Sequence, residues 1–286
     1  MKYVFMAAHE GEFSVKSMCR ALGIQRSGYY AWKRRPVSSR EKENDALLAT
    51  IRAAFVFSRL TYGSLRIQAY LRRKGQFYSR FRIGRLMKKA NLVPLKSAKW
   101  HPQTTKQRLG ARTAPNLLNH EFQASKPNEK WVGDITFIDT AEGWLYLASL
   151  LDLYSRRIVG WAMDERMDTS LVEKAWKMAV MHHHPPTHLL HHSDRGSQYT
   201  SESYLKLLEK AGCVVSMSRT GNCYDNAVMG SFHATLKGEC AYRKFTTKAE
   251  ARLTLFEYIE VWYNRQRLHS SLGNLSPLEF EQSSGH

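Results

Sequence analysis

The fold is decided by two apolar stretches that each carry an aspartate, Trp131-Val-Gly-Asp-Ile-Thr-Phe-Ile and Thr187-His-Leu-Leu-His-His-Ser-Asp. Both have the composition of a buried β-strand, which places Asp134 inside one strand and Asp194 at the end of the other. A carboxylate in such a position is costly unless something pairs with it, and a divalent cation is the usual partner where carboxylates converge. The two stretches therefore predict a sheet that carries a metal site.

The region around these stretches alternates strand and helix patterns. Three apolar runs come first and read as antiparallel strands: 131–139, 144–153 and 156–163. A helix from Asp168 or Thr169 to about Met181, the strand into Asp194, a helix over 201–211, a strand over 214–217 and helices over 225–240 and 247–265 follow. This order predicts a mixed α/β sheet with helices on both faces.

The N-terminal part reads as helical. The stretch Ser14-Val-Lys-Ser-Met-Cys-Arg-Ala-Leu-Gly-Ile-Gln-Arg-Ser-Gly-Tyr-Tyr-Ala-Trp predicts two short helices broken at Gly23, in the manner of a helix-turn-helix. A second pair follows Tyr62, the first helix stopped by Gly75 and the second capped by Ser79. The side chains predicted to face inward are Leu65, Ala69 and Leu71 in the first helix and Phe81, Ile83, Leu86 and Met87 in the second.

Positive charge is concentrated in the N-terminal part of the 286 residues, whose formal net charge is +18. Residues 1–114 hold 25 Lys/Arg against 5 Asp/Glu, residues 115–286 hold 18 against 20, and no acid lies between Asp45 and Glu121. A helical domain with a solvated basic face is the plainer interpretation, but solvated faces normally mix signs, so the pattern favours a nucleic-acid-binding module. The side chains predicted to contact DNA here are Arg66, Arg72, Arg73, Arg82, Arg85 and Lys89.

Other features bound the class of protein. No apolar stretch reaches the roughly 18 residues of a membrane span, and no signal peptide is visible, so no membrane partner is expected. The four cysteines show no CxxC spacing, which favours a reduced, cytoplasmic setting. We predict three regions: helical and DNA-binding over 1–94, a basic linker over 95–124, and an α/β core with a C-terminal helix over 125–286.

Three motifs carry a resemblance to a known family: His192-Ser-Asp-Arg-Gly-Ser-Gln-Tyr, Gly221-Asn-Cys-Tyr-Asp-Asn-Ala and Tyr263-Asn-Arg-Gln-Arg-Leu-His-Ser-Ser-Leu-Gly-Asn-Leu-Ser-Pro-Leu-Glu-Phe. They resemble those of bacterial insertion-sequence transposases of the second-reading-frame (OrfB) type, which have a retroviral-integrase-like core. The resemblance covers nearly the whole chain. It implies a ribonuclease H-like fold, nucleoid-associated action in a bacterial cytoplasm, and an Asp-Asp-Glu triad that holds two Mg²⁺ or Mn²⁺ ions for DNA cleavage and strand transfer.

The resemblance maps onto this chain with one departure. Asp134 matches the first family aspartate, Asp194 the second, and Lys237 a basic residue that contacts DNA. The family glutamate falls at Gly230, which predicts impaired cleavage with DNA binding kept. Asp225 and Glu239 lie about 140° and 180° around a helix from position 230, so neither is expected to substitute, and Asp225 is expected to cap the helix.

Further DNA contacts are expected from Asn222, in a polar turn, and from Arg265, Arg267 and His269. The resemblance also implies a homo-oligomer on paired transposon ends and a partner, or fusion, encoded in a preceding frame. Two rival functions remain open. One is a DNA-binding pseudoenzyme that regulates or competes with an active transposase; the other, a nuclease acting on RNA, fits the fold class alone.

Overall fold

The computed structural model describes residues 1–36, 38–95 and 113–283, apart from the side chain of Cys223. Two compact units divide between Ala53 and Ala54, inside helix α4 (Ser39–Phe57). Residues 96–112 of the predicted linker, and the last three residues of the predicted C-terminal region, lie outside the described residues. The regional boundaries at 94 and 124 stay a prediction.

The first unit contains the predicted helix-turn-helix. Helices α1 (Lys2–Ala8), α2 (Val15–Leu22) and α3 (Arg26–Arg34) precede α4. The Ser14 hydroxyl accepts from the Ser17 amide at 3.2 Å and caps α2, and Gly23 ends α2 with φ +61°, a left-handed conformation that favours glycine. The three helices share a core of Met6, Met18, Cys19 and Tyr29.

The second unit begins with the other predicted pair, α5 (Ser64–Arg73) and α6 (Arg80–Lys89). Ser79 caps α6 as predicted, accepting from the Arg82 amide at 3.2 Å. The inward placement of Leu65 and Phe81 is wrong: they are 52% and 76% exposed. Each lies two residues, or about 200° of helix, before the isoleucine that is buried instead, Ile67 or Ile83.

The sheet has the predicted mixed topology. Its strands are β1 (Lys130–Thr140), β2 (Gly143–Asp152), β3 (Ile158–Asp164), β4 (Leu190–Ser193) and β5 (Val214–Met217). Their order is β3-β2-β1-β4-β5, with the first three strands antiparallel and β4 and β5 parallel to β1. An antiparallel meander continued by parallel strands is the ribonuclease H-like arrangement that the sequence predicts.

Helices cover both faces of the sheet. They are α7 (Thr169–His183), α8 (Glu202–Lys210), α9 (Ala227–Glu239), α10 (Lys248–Glu257) and α11 (Pro277–Ser283). Leu150 of β2 belongs to the core shared with α7 and α8, whereas its neighbour Ser149 contacts His233 of α9 at 3.2 Å. Because alternate strand residues face opposite sides, α9 lies on the face away from α7. After α10 the backbone continues as a π-helical segment, Tyr258–Tyr263.

No helix within the described ranges combines the length and the apolar content that crossing a bilayer requires.

Gly160 of β3 lies where the sheet packs closely against α7, so a larger side chain there tests this packing. A Cβ at this position would lie 2.4 Å from the Ala175 carbonyl oxygen and 2.6 Å from the Ala179 Cβ, both on α7. We expect Gly160→Ala to lower the free energy of unfolding by about 1–3 kcal/mol, since backbone must move. Gly230→Ala on α9 is the matched control: nothing lies within 4 Å of a Cβ there, so helix propensity alone should stabilise by about 0.8–1 kcal/mol. Equal effects in urea denaturation would contradict this packing.

Asp152, at the end of β2, should make the free energy of unfolding depend on pH. Its buried carboxyl accepts from the amides of Asn128 at 3.1 Å and Tyr154 at 2.9 Å. Burial nevertheless raises the pKa of Asp152 to about 6. Because this exceeds the unfolded pKa near 4, the stabilising contribution is complete below about pH 4 and is lost as the pH rises through about 6. The unfolding free energy of the chain relative to Asp152→Asn should therefore fall between about pH 4 and pH 7; a constant difference would contradict it.

Candidate active site

Asp134 lies in β1, and Asp194 directly follows β4, the parallel strand beside β1. Val132 of β1 pairs with His192 of β4, so each aspartate lies two residues beyond this pair, and the charges of both act on Tyr199. Adjacent strands lie about 4.8 Å apart, and side chains in register point to the same face. The Ile135 amide donates to Asp134 Oδ1 at 2.8 Å, and the Gly196 amide donates to Asp194 Oδ1 at 2.9 Å.

Helix α9 presents one stripe of residues to β1. The side-chain Nδ2 of Asn226, the residue that caps the start of the helix, donates to the Gly133 carbonyl at 2.9 Å. About two turns further on, His233 Nδ1 lies 3.5 Å from Asp134 Oδ2. About three turns further on, Lys237 is close enough for the charge of Asp134 to act on its pKa. Positions 226, 230, 233 and 237 are spaced by three or four residues, so Gly230 lies on the same stripe.

Gly230 therefore lies on the side of α9 that faces Asp134, at a helix position with free space around it. A Cβ built there meets nothing within 4 Å. Neither a turn nor a left-handed conformation requires glycine, since the residue lies inside α9 and is not among the positive-φ glycines. The space could accept a longer side chain directed at Asp134.

The His233 imidazole lies between the Asp134 carboxylate and the Ser149 hydroxyl. Ser149 is the cross-strand partner of Asp134 in β2, and its hydroxyl contacts His233 Nε2 at 3.2 Å. The imidazole is buried between the two residues. His233 was not predicted from the sequence, although its spacing of three residues from Gly230 places both residues on one face of a helix.

Tyr199 and Lys237 border the aspartates. Burial raises the pKa of the Tyr199 hydroxyl well above its usual value, and the negative charges of Asp134 and Asp194 add to the effect. Burial lowers the pKa of Lys237, while the charge of Asp134 opposes that shift. Tyr199 was also missed as a site residue, although it ends the first family motif.

Asp225 and Glu239, the two other carboxylates close to Gly230 in sequence, are both paired with arginines. Asp225 is buried and accepts from the Arg219 guanidinium at 2.8 Å and from His120 Nε2 at 2.6 Å; the hydrogen bonds from Arg219 hold the pKa of this carboxyl well below its usual range. The expectation that Asp225 caps α9 is wrong, because the cap residue is Asn226. Glu239 pairs with Arg267 Nη2 at 2.7 Å.

Several predicted DNA contacts have partners within the protein. Arg73 is paired with Glu279, and the Asn222 side-chain amide donates to Asp225 at 3.1 Å. Arg267 is buried and paired with Glu239, so its guanidinium already has a partner within the protein. Arg66 lies 4.0 Å from Glu239.

The other predicted contacts remain in the basic helices and near the π-helical segment. Arg82 lies over the Tyr78 ring at 5.7 Å, and Arg265 donates to the Glu260 carbonyl. The predicted contacts that are exposed at the surface are Arg72, Arg73, Arg85, Lys89 and Arg265.

The residues present fit the implied metal set in part. Asp134 in β1 and Asp194 after the neighbouring strand β4 supply carboxylate oxygens, the donors that Mg²⁺ prefers. Within the described parts of the chain, no three His, Cys, Asp or Glu side chains are placed together to hold a metal ion. The third donor is expected at position 230, where this chain has no side chain.

Comparison with known families agrees with this fold. Profiles described as "Integrase core domain" match residues 124–223 and 211–277, and one described as "HTH-like domain" matches residues 42–99. The fold and the paired aspartates thus define an integrase-core polynucleotidyl transferase with a helical DNA-binding region.

Curated relatives match almost from end to end. "Transposase InsF for insertion sequence IS3A" of Escherichia coli (strain K12) is 41% identical over 284 residues, 98% of each chain. "Insertion element IS600 uncharacterized 31 kDa protein" of Shigella sonnei is 45% identical over 266 residues, 93% of this chain and 97% of the relative. The chain belongs to the IS3 family of insertion-sequence transposases.

Solved structures show a weaker likeness. An intasome of simian T-cell lymphotropic virus, in complex with the PP2A regulatory subunit B56 gamma, is 16% identical with a TM-score of 0.46, covering 75% of this chain and 70% of its own. The HTLV-2 integrase catalytic core domain in complex with magnesium is 16% identical with a TM-score of 0.39, covering 56% of this chain and 99% of its own.

Proposed function

We propose that this transposase is built for metal-dependent DNA cleavage and strand transfer at insertion-sequence ends, and that it is disarmed at position 230. One observation carries the proposal: Gly230 lies on the stripe of α9 that contacts Asp134, with nothing within 4 Å of a Cβ. The site therefore keeps two carboxylates and the space for a third. The chain should bind DNA and be severely impaired in cleavage.

Each residue of the site has its own role in this proposal. Asp134 and Asp194 would hold Mg²⁺ or Mn²⁺, which supplies activation of the attacking hydroxyl and stabilisation of the leaving oxygen in an in-line displacement at phosphorus. His233, held by Ser149, orients the Asp134 carboxylate. Lys237 places a positive charge beside the aspartates, where it can hold a DNA phosphate.

The basic helices supply the DNA-binding part of the proposal. Exposed Arg72, Arg85 and Lys89 are suited to phosphate contacts, which position the protein without reading sequence. We assign DNA binding to residues 1–94 and catalysis to residues 125–286, joined by a basic linker. We also propose that the protein assembles as a homo-oligomer on paired transposon ends, with or without the first-frame product. It would act at the nucleoid.

The test is a binding and cleavage assay on the DNA ends of the chain's own insertion sequence with Mg²⁺ or Mn²⁺. We expect a mobility shift without 3′-end cleavage or strand transfer. Cleavage by the Gly230 chain would show that another donor completes the site, and absence of any shift would remove the DNA-binding part.

The same observation favours a second candidate, a DNA-binding regulator that competes with an active transposase. Loss of one carboxylate stops chemistry and leaves binding intact, which is what a competitor requires. Adding this chain to an active relative on shared ends should then lower strand transfer in proportion to end occupancy. Unchanged strand transfer at saturating occupancy would exclude the regulator.

A further inference from the structure

A cavity of about 330 Å³ lies beside α9, away from the aspartates. Residues Ser231 and Thr235 of α9 line it, and both are about 100–140° around the helix from Gly230. The cavity is also lined by three arginines, a histidine and two serines from other elements: Arg66, Arg156, Arg267, His269, Ser270 and Ser271.

Among the described residues, one carboxylate lies close to two of the three guanidinium groups, and none lies close to the third. Glu239 accepts from Arg267 Nη2 at 2.7 Å and lies 4.0 Å from Arg66. Arg156 donates to the Phe122 carbonyl at 2.8 Å, and no carboxylate among the described residues lies within 4.0 Å of it. Asp152 acts on Arg156 from a longer distance. The lining therefore carries more positive than negative charge at short range.

Burial makes this imbalance costly. Burial lowers the pKa of both Arg66 and Arg156, which shows that their charges are poorly solvated. A half-buried guanidinium with too few acceptors is stabilised by an anion that accepts several hydrogen bonds at once.

His269 adds an unpaired donor or acceptor to the lining. Its side chain is 8% exposed, and its Nε2 is buried without a hydrogen-bond partner in the structure. Burial and the charges of Arg267, Arg66 and Arg156 lower the pKa of His269 well below its usual value, so the ring is neutral. A neutral imidazole can still donate one N–H to an oxyanion.

We propose that this cavity binds one phosphate of the DNA backbone, held by Arg66, Arg156 and His269, with the Ser270 and Ser271 hydroxyls at its mouth. The inference deepens the proposed function and rests on it in one respect, that the partner is DNA. Arg267 does not bind the phosphate in this proposal, because its guanidinium already donates to Glu239 and has a structural role. The cavity would place a DNA strand against the side of α9 that lies about 100–140° around the helix from Gly230.

The test measures DNA affinity in the unmodified Gly230 background, so it does not depend on catalysis. Arg156→Gln removes one donor, and Ser271→Asp adds a negative charge at the mouth while leaving all three arginines in place. Each should weaken binding of a transposon-end duplex about 10-fold or more in fluorescence anisotropy. Arg156→Gln should also reduce the slope of log affinity against log salt by about one phosphate contact.

Matched controls separate the cavity from general charge. Arg166→Gln removes an exposed arginine outside the cavity, and Ser271→Asn matches Ser271→Asp in size without the charge. Both should leave affinity within about twofold. Circular dichroism melting checks that each variant is folded, and Ser271→Asp, at an exposed residue, keeps the test valid if Arg156→Gln does not fold.

Inorganic phosphate distinguishes the source of the anion. If phosphate raises the melting temperature of the chain but neither cavity variant changes DNA affinity, the site holds a free anion and the proposal fails. Equal DNA affinity with no phosphate effect also overturns it. Inactivity of a Gly230→Glu chain whose cavity variants still lose DNA affinity would refute the proposed catalysis and leave the phosphate site standing; no DNA binding by the starting chain would refute both.

Discussion

Gly230→Glu is expected to raise the rate of DNA cleavage and strand transfer by at least about 100-fold. The new carboxylate enters free space on the stripe of α9 that already contacts Asp134, so it completes the donor set without displacing a neighbour. Each 1.4 kcal/mol of barrier corresponds to about tenfold in rate, and metal-ion catalysis supplies several kcal/mol. The substitution should also stabilise α9 by roughly 0.5–1 kcal/mol, because glycine is a poor helix former.

Three control variants isolate the carboxylate. Gly230→Gln has nearly the same size without the charge, and Gly230→Ala restores helix propensity alone; both should remain inactive. Asp134→Asn, added to the Gly230→Glu chain, should abolish the recovered activity. Recovery with glutamine as well as glutamate would mean that position 230 acts through structure, and no recovery with glutamate would mean that the chain is damaged elsewhere.

Arg267→Ala is expected to lower the free energy of unfolding by about 3–5 kcal/mol, the cost of leaving a buried charge without its partner. Glu239 accepts from Arg267, from the Tyr258 hydroxyl at 2.9 Å and from Trp262 Nε1 at 3.4 Å. The pair thus ties the end of α9 to the π-helical segment and the motif after it. Burial opposes the charge on Glu239, while the bonds from Arg267 lower its pKa.

A double variant separates the pair from its individual charges. Glu239→Gln combined with Arg267→Met should cost less than Arg267→Ala alone, because it removes both buried charges. Lys206→Ala is the exposed comparison: its pair with Glu202 on α8 is 70% and 83% exposed, so no measurable change is expected in urea denaturation. A small loss from Arg267→Ala would show that water reaches Glu239.

The sequence predicted the sheet well because strand periodicity and strand composition agree there. All five strands lie within a few residues of their predicted positions, and the predicted cap at Ser79 is present. Helix phase was harder to predict: Leu65 and Phe81 are apolar but exposed. An apolar side chain on a short helix does not fix which face is buried until the packing partner is known.

The distribution of charge along the sequence was the least direct guide to which residues contact DNA. The acid-free stretch predicted DNA contact, yet three of its arginines pair with carboxylates far along the chain: Arg59 with Glu257, Arg66 with Glu239 and Arg73 with Glu279. Part of the basic charge therefore attaches helix α5 and Arg59, in the segment before it, to the C-terminal elements of the same unit. Such pairs cannot be read from a sequence, because their partners are about 170–200 residues apart.

At the candidate site, Asp134 and Asp194 were predicted from their strand patterns and Gly230 from the family resemblance, and their catalytic roles stay predictions. The sequence did not predict Tyr199 and His233, whose positions beside the aspartates follow from how β1, β4 and α9 pack together. The cavity of Arg66, Arg156 and His269 was also beyond reach, because it joins side chains from separate parts of the chain.

The central claim is that position 230 completes a metal site with Asp134 and Asp194, and the most direct test is to count bound metal ions. Titration of Mn²⁺ into the chain on its end DNA, followed by electron paramagnetic resonance, compares Gly230 with Gly230→Glu. We predict at most one weakly bound ion with glycine and two with glutamate, both lost in Asp134→Asn. Two tightly bound ions in the Gly230 chain would contradict the account, since another residue would then complete the site.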